Sequence, residues 1–579
     1  MKKIFTTLLL FAAVATQAQQ LPNGGFDSWK SACGSTEAFG PGTLSSPKKG
    51  EMRQRPGVEP TDWNGSSINQ KVVKQTQQEL IFNENGAVKM QNTYVGVSSI
   101  GIGSVAPGYI TFGTPWVYAT STLSDCDGGT YGGVSFTYKP DAIKGRYKRT
   151  DTTGENSYII AYLWNGTYTS NVGKKSSPDQ ARNNVERAIL GKITPTASGT
   201  LVASCEYTFN STDADWQEIV VPLEYKNNNV TPTMMNVVIS GGNYFDRGAL
   251  KENTTLYADD VQFVYYSTLA SLNYNGVNYY KEGVETYYIF DEYDASKLSY
   301  TLNGQSATAT KSVNASKSPF FDEVTITVSN VDNDIDGKNS HTYNLVFLKK
   351  GYYNLVSADG NETLCYHSDG EFVDYQTGTL VNVNPDAVET IEAVESLPIS
   401  ISAAGYTAFY APVAVMMPAG VTAHTVTING NWATLSEDLG VVPANTGVVL
   451  AGAEGDYELV IVESSETVSG NVLAGTYKTG YIQGPAYVLS KPAGKEVGFY
   501  KAKLKDDGTF KMLGHKSYLP ESAAQGSAFY GLRIDGTTGV SEVEAVAGEE
   551  MIFDLTGRRI YKVTAPGIYI VNGVKKVFN

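Results

Sequence analysis

Leu256-Tyr257-Ala258-Asp259-Asp260-Val261-Gln262-Phe263-Val264-Tyr265 decides how the first half of this chain is read. Side chains on a strand alternate between two faces. After the carboxylate pair, Val261, Phe263 and Tyr265 therefore share one face, while Gln262 and Val264 share the other. The stretch reads as a strand that opens with Asp259 and Asp260. A complementary stretch, Asn23-Gly24-Gly25-Phe26-Asp27-Ser28-Trp29, lies far upstream. The two are expected to be the closing and opening strands of one β-sandwich, with Phe26 and Val261 in the same body.

Around that bracket the composition is of one kind. Short Val/Ile/Thr/Tyr runs recur between Gly, Asn and Asp, and helical periodicity is scarce, which is all-β punctuation. At 579 residues the chain is too long for one core, so several domains are expected. A hydrophobic content of 41% with 18% charged residues belongs to folded protein. The formal net charge of −15 argues against nucleic acid as a partner, because phosphate binding needs a basic surface. It suits solubility at a cell surface.

The N-terminus has the layout of a secretory leader. Lys2 and Lys3 precede an apolar run from Ile4 to Val14, and Ala15-Thr16-Gln17-Ala18 supplies small residues for cleavage after Ala18. Export is expected, to the medium or the outer surface of a Gram-negative bacterium. The apolar run falls short of the ~20 residues that span a bilayer, and no transmembrane segment is expected. The four cysteines, Cys33, Cys126, Cys205 and Cys365, match no zinc spacing. In an exported chain they permit a disulfide, with three pairings of four available, or free buried thiols.

The expected organisation is a leader at 1–18, a first β-sandwich at 19–267, an immunoglobulin-like sandwich at 268–349, a short β segment at 350–396, and a β accessory module at 397–535. An acidic small-residue linker at 536–548 and a terminal β-hairpin at 549–579 complete it. In the first domain, 179–190 is the one helix-like interval, with Ala181, Val185, Ala188 and Ile189 on one side.

The first domain resembles the PCMD family, a carbohydrate-metabolism domain of outer-surface proteins. The resemblance rests on Asn23 to Trp29, Phe136-Thr137-Tyr138-Lys139-Pro140 with Gly145, and Ala161-Tyr162-Leu163-Trp164. It continues in Asp215-Trp216-Gln217 leading to Pro222-Leu223-Glu224-Tyr225, and in Leu256 to Val261. It implies a jelly roll of the carbohydrate-binding-module type and no particular reaction. The tail resembles the sorting domain of type IX secretion cargo through Asp554-Leu555-Thr556-Gly557-Arg558 and Gly567-Ile568-Tyr569-Ile570-Val571.

Three kinds of site follow. In jelly-roll binding modules the first and last strands often share a structural calcium ion, which takes six to eight oxygens. Asp27, Asp259 and Asp260, with carbonyls near Asn23 to Gly25, are the candidate ligands, although Asp27 stands where Glu is usual and reaches less far. The competing reading has Asp259 and Asp260 accepting hydrogen bonds from turn amides. Sugar rings stack their C–H faces on Trp and Tyr. Trp63, in Asp62-Trp63-Asn64-Gly65, and Trp116, after Pro115, have loop-like settings and are the better platforms. Trp164 is a third candidate but ends an apolar run that suits core packing. Trp216 precedes a strand and Trp29 neighbours Phe26, so core packing is expected for both.

A glycosidase needs two carboxyls ~5–9.5 Å apart. Asp213 with Asp215, and Glu218 with Glu224, are the local suspects. His341, His367, His424 and His515 are scattered beyond the first domain, and no nucleophile elbow, zinc-protease helix or phosphate loop occurs. The reading that best joins these features is a surface glycan-binding protein. A glycoside hydrolase or lyase, and an adhesin that holds a protein partner, are the alternatives.

Overall fold

A computed structural model describes residues 20–32, 37–39, 55–71, 75–119, 126–166, 185–192, 199–314, 320–357, 360–384 and 388–534. In the tail it describes 552–554, 559–560, 567–571 and 574–578. Strands hold 55% of the chain and helices 3%, which makes it all-β. The leader at 1–18 and the linker at 536–548 lie outside the described residues.

The chain forms two compact units. The first comprises residues 1–284, 296–311 and 326–343, and the second comprises 285–295, 312–325 and 344–579. The stretch 268–349 is therefore divided between them.

The first unit is built on two antiparallel sheets. The front sheet runs in the order Asp213–Pro222, Ala142–Arg149, Thr255–Val264, Ala87–Gln91, Ile81–Glu84. The back sheet runs Glu224–Tyr225, Thr200–Phe209, Ser157–Asn165, Met234–Ser240, Tyr109–Thr111, Asn64–Gly65. Successive long strands mostly alternate between the two sheets, as in a jelly roll. Alternating residues of both sheets meet in one core: Val88, Met90, Ile143, Leu256 and Phe263 from the front, and Ile159, Ala161, Leu163, Val237 and Ile239 from the back.

Phe26, Val261, Phe263 and Tyr265 all belong to this core. The opening stretch lies along the closing strand as expected. Val261 donates its N–H to the Gly24 carbonyl at 2.8 Å. The Gln20 side chain brackets Phe263, donating to its carbonyl at 2.9 Å and accepting its N–H at 2.8 Å. No side chain fits at position 24, where a Cβ would stand 1.9 Å from the Val261 carbonyl oxygen. Phe26 takes a left-handed conformation (φ 53°). That region is uncommon for a bulky residue and costs ~1–3 kcal/mol. The strain turns the ring into the core, where it is fully buried.

The closing strand differs from its expected form in one respect. It begins at Thr255, so Asp259 and Asp260 stand in its middle. Lys144 pairs with Gln262 and Arg146 with Asp259, which leaves one residue too many on the closing strand. This is a β-bulge, with Asp260 at φ 49°. The bulge shifts the alternation by one. Leu256 and Ala258 point inward before it, and Val261, Phe263 and Tyr265 point inward after it.

The sheets differ on their outer faces. The strands Ser157–Asn165, Met234–Ser240 and Tyr109–Thr111 of the back sheet are covered on their outer side too, where Tyr109, Ile160, Tyr162, Trp164 and Val238 form a second cluster with Ile189 of the helix Val185–Ile189. The front sheet keeps its outer face open to solvent.

In the second unit a five-stranded sheet runs Leu380–Val381, Glu371–Asp374, Glu362–Ser368, Gly351–Ser357, Val388–Ala393. Residues 396–534 supply a four-stranded, a three-stranded and a seven-stranded sheet. Ala414, Met416, Val441 and Val462 pack with Phe553 and Ile570 of the tail, whose described strands form a four-stranded sheet. His515 sits among Tyr352, Tyr375 and Tyr410, and burial lowers its pKa to about 4.

Candidate functional site

The open front sheet carries the candidate site, and its register builds it. Phe82 pairs with Lys89, Lys89 with Tyr257, and Tyr257 with Lys148. Trp216 stands at the irregularity opposite Lys148. Residues directly opposite one another share a face, so five strands present a row of aromatic, cation, aromatic, cation, aromatic. The Lys89 ammonium lies 5.3 Å from the Phe82 ring centroid and 6.0 Å from that of Tyr257. The Lys148 ammonium lies 4.6 Å from Tyr257 and 5.2 Å from Trp216. Each spacing is within reach of a cation–π attraction. All five side chains are half-buried.

Arg146 extends the row. Its guanidinium carbon is 5.2 Å from the Trp216 ring, and its Nη1 is 3.2 Å from Asp260 and 3.7 Å from Asp259. It also lines a cleft of about 400 Å³, together with Gly24, Gly25, Lys144, Glu218 and Asp260. That volume is in the range of small-ligand sites. The cleft and the aromatic row are thus one continuous surface.

The three carboxylates proposed as calcium ligands do come together. Gly25 approaches both Asp27 and Asp260, since a Cβ there would lie 3.3 Å from one carboxylate and 3.8 Å from the other. The Asp259 carboxyl is raised above its ordinary value by burial first and by the Asp260 charge next, with Asp27 adding to it. Asp259 also accepts the Asp260 N–H at 3.0 Å, the turn-amide role. The cation that Asp259 and Asp260 face is the Arg146 guanidinium. Among the described residues no group of three His, Cys, Asp or Glu side chains is placed to hold a metal ion.

The tryptophans are placed differently from their settings in sequence. Asp62 does turn the chain (φ 70°), but Trp63 points inward and is fully buried. Its ring lies 3.9 Å from Phe112 and meets Phe26 edge-on at 5.6 Å, and its Nε1 donates to the Pro22 carbonyl at 2.9 Å. It offers no face to a sugar. Trp164 is 3% exposed in the cluster under the helix, so it too is a packing residue. Trp116 lies on the strand Thr114–Ala119 instead of a loop, and its side chain lies outside the described residues. Trp29 packs against the core as expected. Trp216 does not join the core and is the tryptophan on the open face.

The suspected carboxyl pairs do not face each other across a cleft. Glu218 is on the front sheet beside Lys144 at 3.6 Å, whereas Glu224 is on the back sheet and pairs with Lys226 at 2.6 Å. The Asp213 carboxylate accepts the Asp215 N–H. A strongly shifted acid of the first unit lies elsewhere. Glu186, on the helix, is buried with the Tyr162 and Tyr244 hydroxyls at 3.2 and 2.7 Å, and burial pushes its carboxyl up to about 7. Cys205 and Cys365 are free and buried. Cys33 and the Cys126 side chain lie outside the described residues. Among the described residues no helix is long and apolar enough to cross a membrane.

No family model and no curated protein matches the chain. Among solved structures it is similar to one described as a "putative glycoside hydrolase" from Bacteroides vulgatus. The two are 18% identical with a TM-score of 0.23, over 32% of this chain and 76% of the other. A second, from Bacteroides thetaiotaomicron and described in the same words, is 13% identical with a TM-score of 0.22, over 39% of this chain and 60% of the other. Likeness at this level carries no argument about what the chain does.

Proposed function

We propose that the first unit is a carbohydrate-binding module and that the chain captures glycans outside the cell. The observation that carries this reading is the half-buried row of Phe82, Tyr257 and Trp216 on the open outer face of the front sheet, continuous with the cleft beside Arg146. Flat aromatic faces with little rotamer entropy to lose suit the C–H faces of sugar rings. Flanking lysine, arginine and carboxylate groups suit their hydroxyls. The resemblance to the PCMD family and the leader expected at 1–18 support the same reading. Four acids on this face lie within 4 Å of a cation, Glu84 with Lys89, Glu218 with Lys144, and Asp259 and Asp260 with Arg146. That arrangement favours holding a ligand over donating a proton to it.

The test is affinity electrophoresis of the full chain through gels that contain single polysaccharides. At least one polymer should retard it, and Trp216→Ala should weaken that retention by about tenfold, equal to about 1.4 kcal/mol. Trp432→Ala, at an exposed site of the second unit, should leave it unchanged. Retention by no polymer, or an unaltered Trp216→Ala variant, overturns the reading. Release of reducing ends would instead assign the hydrolase reading.

A further inference from the structure

The second unit has a cleft of its own, of about 420 Å³, walled by three pieces of chain. The turn from Ser402 to Gly405 is closed by the Gly405 N–H on the Ser402 carbonyl at 2.8 Å and leads into the strand Tyr406–Phe409. Together they form one wall. The end of the strand Ala486–Ser490, with Lys491 and Val497 on the turn that follows, forms another. Lys516, first residue of the strand Lys516–Pro520, supplies the third. The Tyr410 N–H donates to the His515 carbonyl at 3.2 Å, which ties that strand to the first wall.

Both charged residues of the lining are cations. Lys516 is half-buried, and its ammonium donates to the Thr407 hydroxyl at 3.2 Å. That uses one of the three donors an ammonium carries. Lys491 is exposed at the same cleft. Neither lysine forms an ion pair among the described residues. Glu496, on the same turn as Lys491, is exposed and outside the lining. The chain has 59 acidic and 44 basic residues, so two lysines without an acid run against its average. Burial lowers the Lys516 pKa from its ordinary value, because the ammonium has given up water with no countercharge in return. An anion in the cleft would supply that countercharge.

The donors also say which anion. A planar carboxylate is matched by the parallel N–H pair of arginine, and no arginine lines the cleft. The two ammonium groups and the hydroxyls of Ser402, Thr407 and Ser490 are single-point donors on three walls. Separate donors suit a tetrahedral oxyanion, whose oxygens point apart. The cleft holds far more than one such ion, and Leu489 and Val497 give it apolar wall for an organic group.

We propose that this cleft binds a small organic ester of phosphate or sulfate, with Lys516 as the inner anion contact and Lys491 as the outer one. The site is separate from the front sheet of the first unit and does not depend on the carbohydrate reading.

The experiment is calorimetric titration of the full chain with phenyl phosphate, phenyl sulfate, benzoate and inorganic phosphate. At least one of the two esters should bind, at least tenfold more tightly than benzoate and than inorganic phosphate, and whichever of the two binds more tightly identifies the oxyanion. Lys516→Met keeps the length and packing of the stem and should weaken ester binding by about tenfold or more, as loss of a charged hydrogen-bond donor does. Lys491→Gln, at an exposed position that packing does not constrain, should weaken it by roughly threefold. Trp216→Ala, on the first unit, should leave it unchanged. Binding of neither ester, or ester binding that both lysine variants leave intact, overturns the proposal. Benzoate equal to the esters overturns the tetrahedral class, and inorganic phosphate equal to phenyl phosphate overturns the organic group. Loss of ester binding in Trp216→Ala would place the anion on the front sheet and overturn the site.

Discussion

Gly24→Ala probes the seam between the two ends of the first sandwich. The new Cβ would stand 1.9 Å from the Val261 carbonyl oxygen and 3.0 Å from its carbon. Both are backbone atoms of a paired strand, so the turn at Asn23 to Phe26 has to withdraw. Withdrawal breaks the 2.8 Å bond from Val261 N–H to Gly24, at about 1 kcal/mol net. It also pulls at Phe26, whose complete burial is worth about 2–3 kcal/mol. With partial relaxation the expected loss is about 2–4 kcal/mol, which lowers the unfolding midpoint of the first unit by on the order of 10 °C. Tryptophan fluorescence is the assay, because five of the six tryptophans lie between positions 29 and 216, inside the first unit. Gly25→Ala is the control. Its Cβ meets the flexible Asp27 carboxylate at 3.3 Å and should cost under about 1 kcal/mol. A Gly24→Ala midpoint within about 2 °C of the parent, or equal damage from Gly25→Ala, would refute the seam.

Two predictions concern pH. Burial raises Glu186 from its ordinary range to about 7, so the fold favours the neutral carboxyl. Its contribution is complete below about pH 4.5 and is lost as pH rises toward 7, by up to about 3 kcal/mol. Glu186→Gln should therefore be more stable than the parent at pH 8 and no more stable at pH 4.5; an equal difference at both values counts against it. His515 has the opposite sign. Burial lowers it to about 4, so its contribution is complete above about pH 6.5 and is lost as pH falls toward 4, again by up to about 3 kcal/mol. The near-ultraviolet dichroism of the tyrosines should show a lower urea midpoint at pH 4.5 than at pH 7, and His515→Asn, which tolerates the positive φ of that site, should remove most of the difference.

What the sequence reveals here depends on the range of the interaction. Alternation in Val261-Gln262-Phe263-Val264-Tyr265 is local, and the inward set it names is the observed one. The bulge at Asp260 is a mismatch between two strands, and a single strand cannot display it, so the pair reads as a strand start. Trp63 follows a real turn at Asp62, but whether a turn aims its next side chain out or in is decided by Phe26 and Phe112, far off in the chain. The aromatic row draws on five strands, and only register brings it together. One part was within reach. Asn85-Gly86 is a strong two-residue hairpin signal, and both residues adopt positive φ. That turn alone sets Phe82 opposite Lys89. Helix periodicity at 179–190 places Ala188 and Ile189 on the buried side, where they are found, but does not flag Glu186, two residues before Ala188.

The Gln20 bracket on Phe263 has a mechanical consequence. Where the sandwich begins and where it ends are neighbours, running side by side in opposite directions. Tension applied to the two ends would load the seam at its outermost bond and unzip it step by step, Gln20 first and Gly24 later, instead of shearing every bond at once. A module hung this way yields first at its own doorway, while the ring-bearing face across the sheet is still intact.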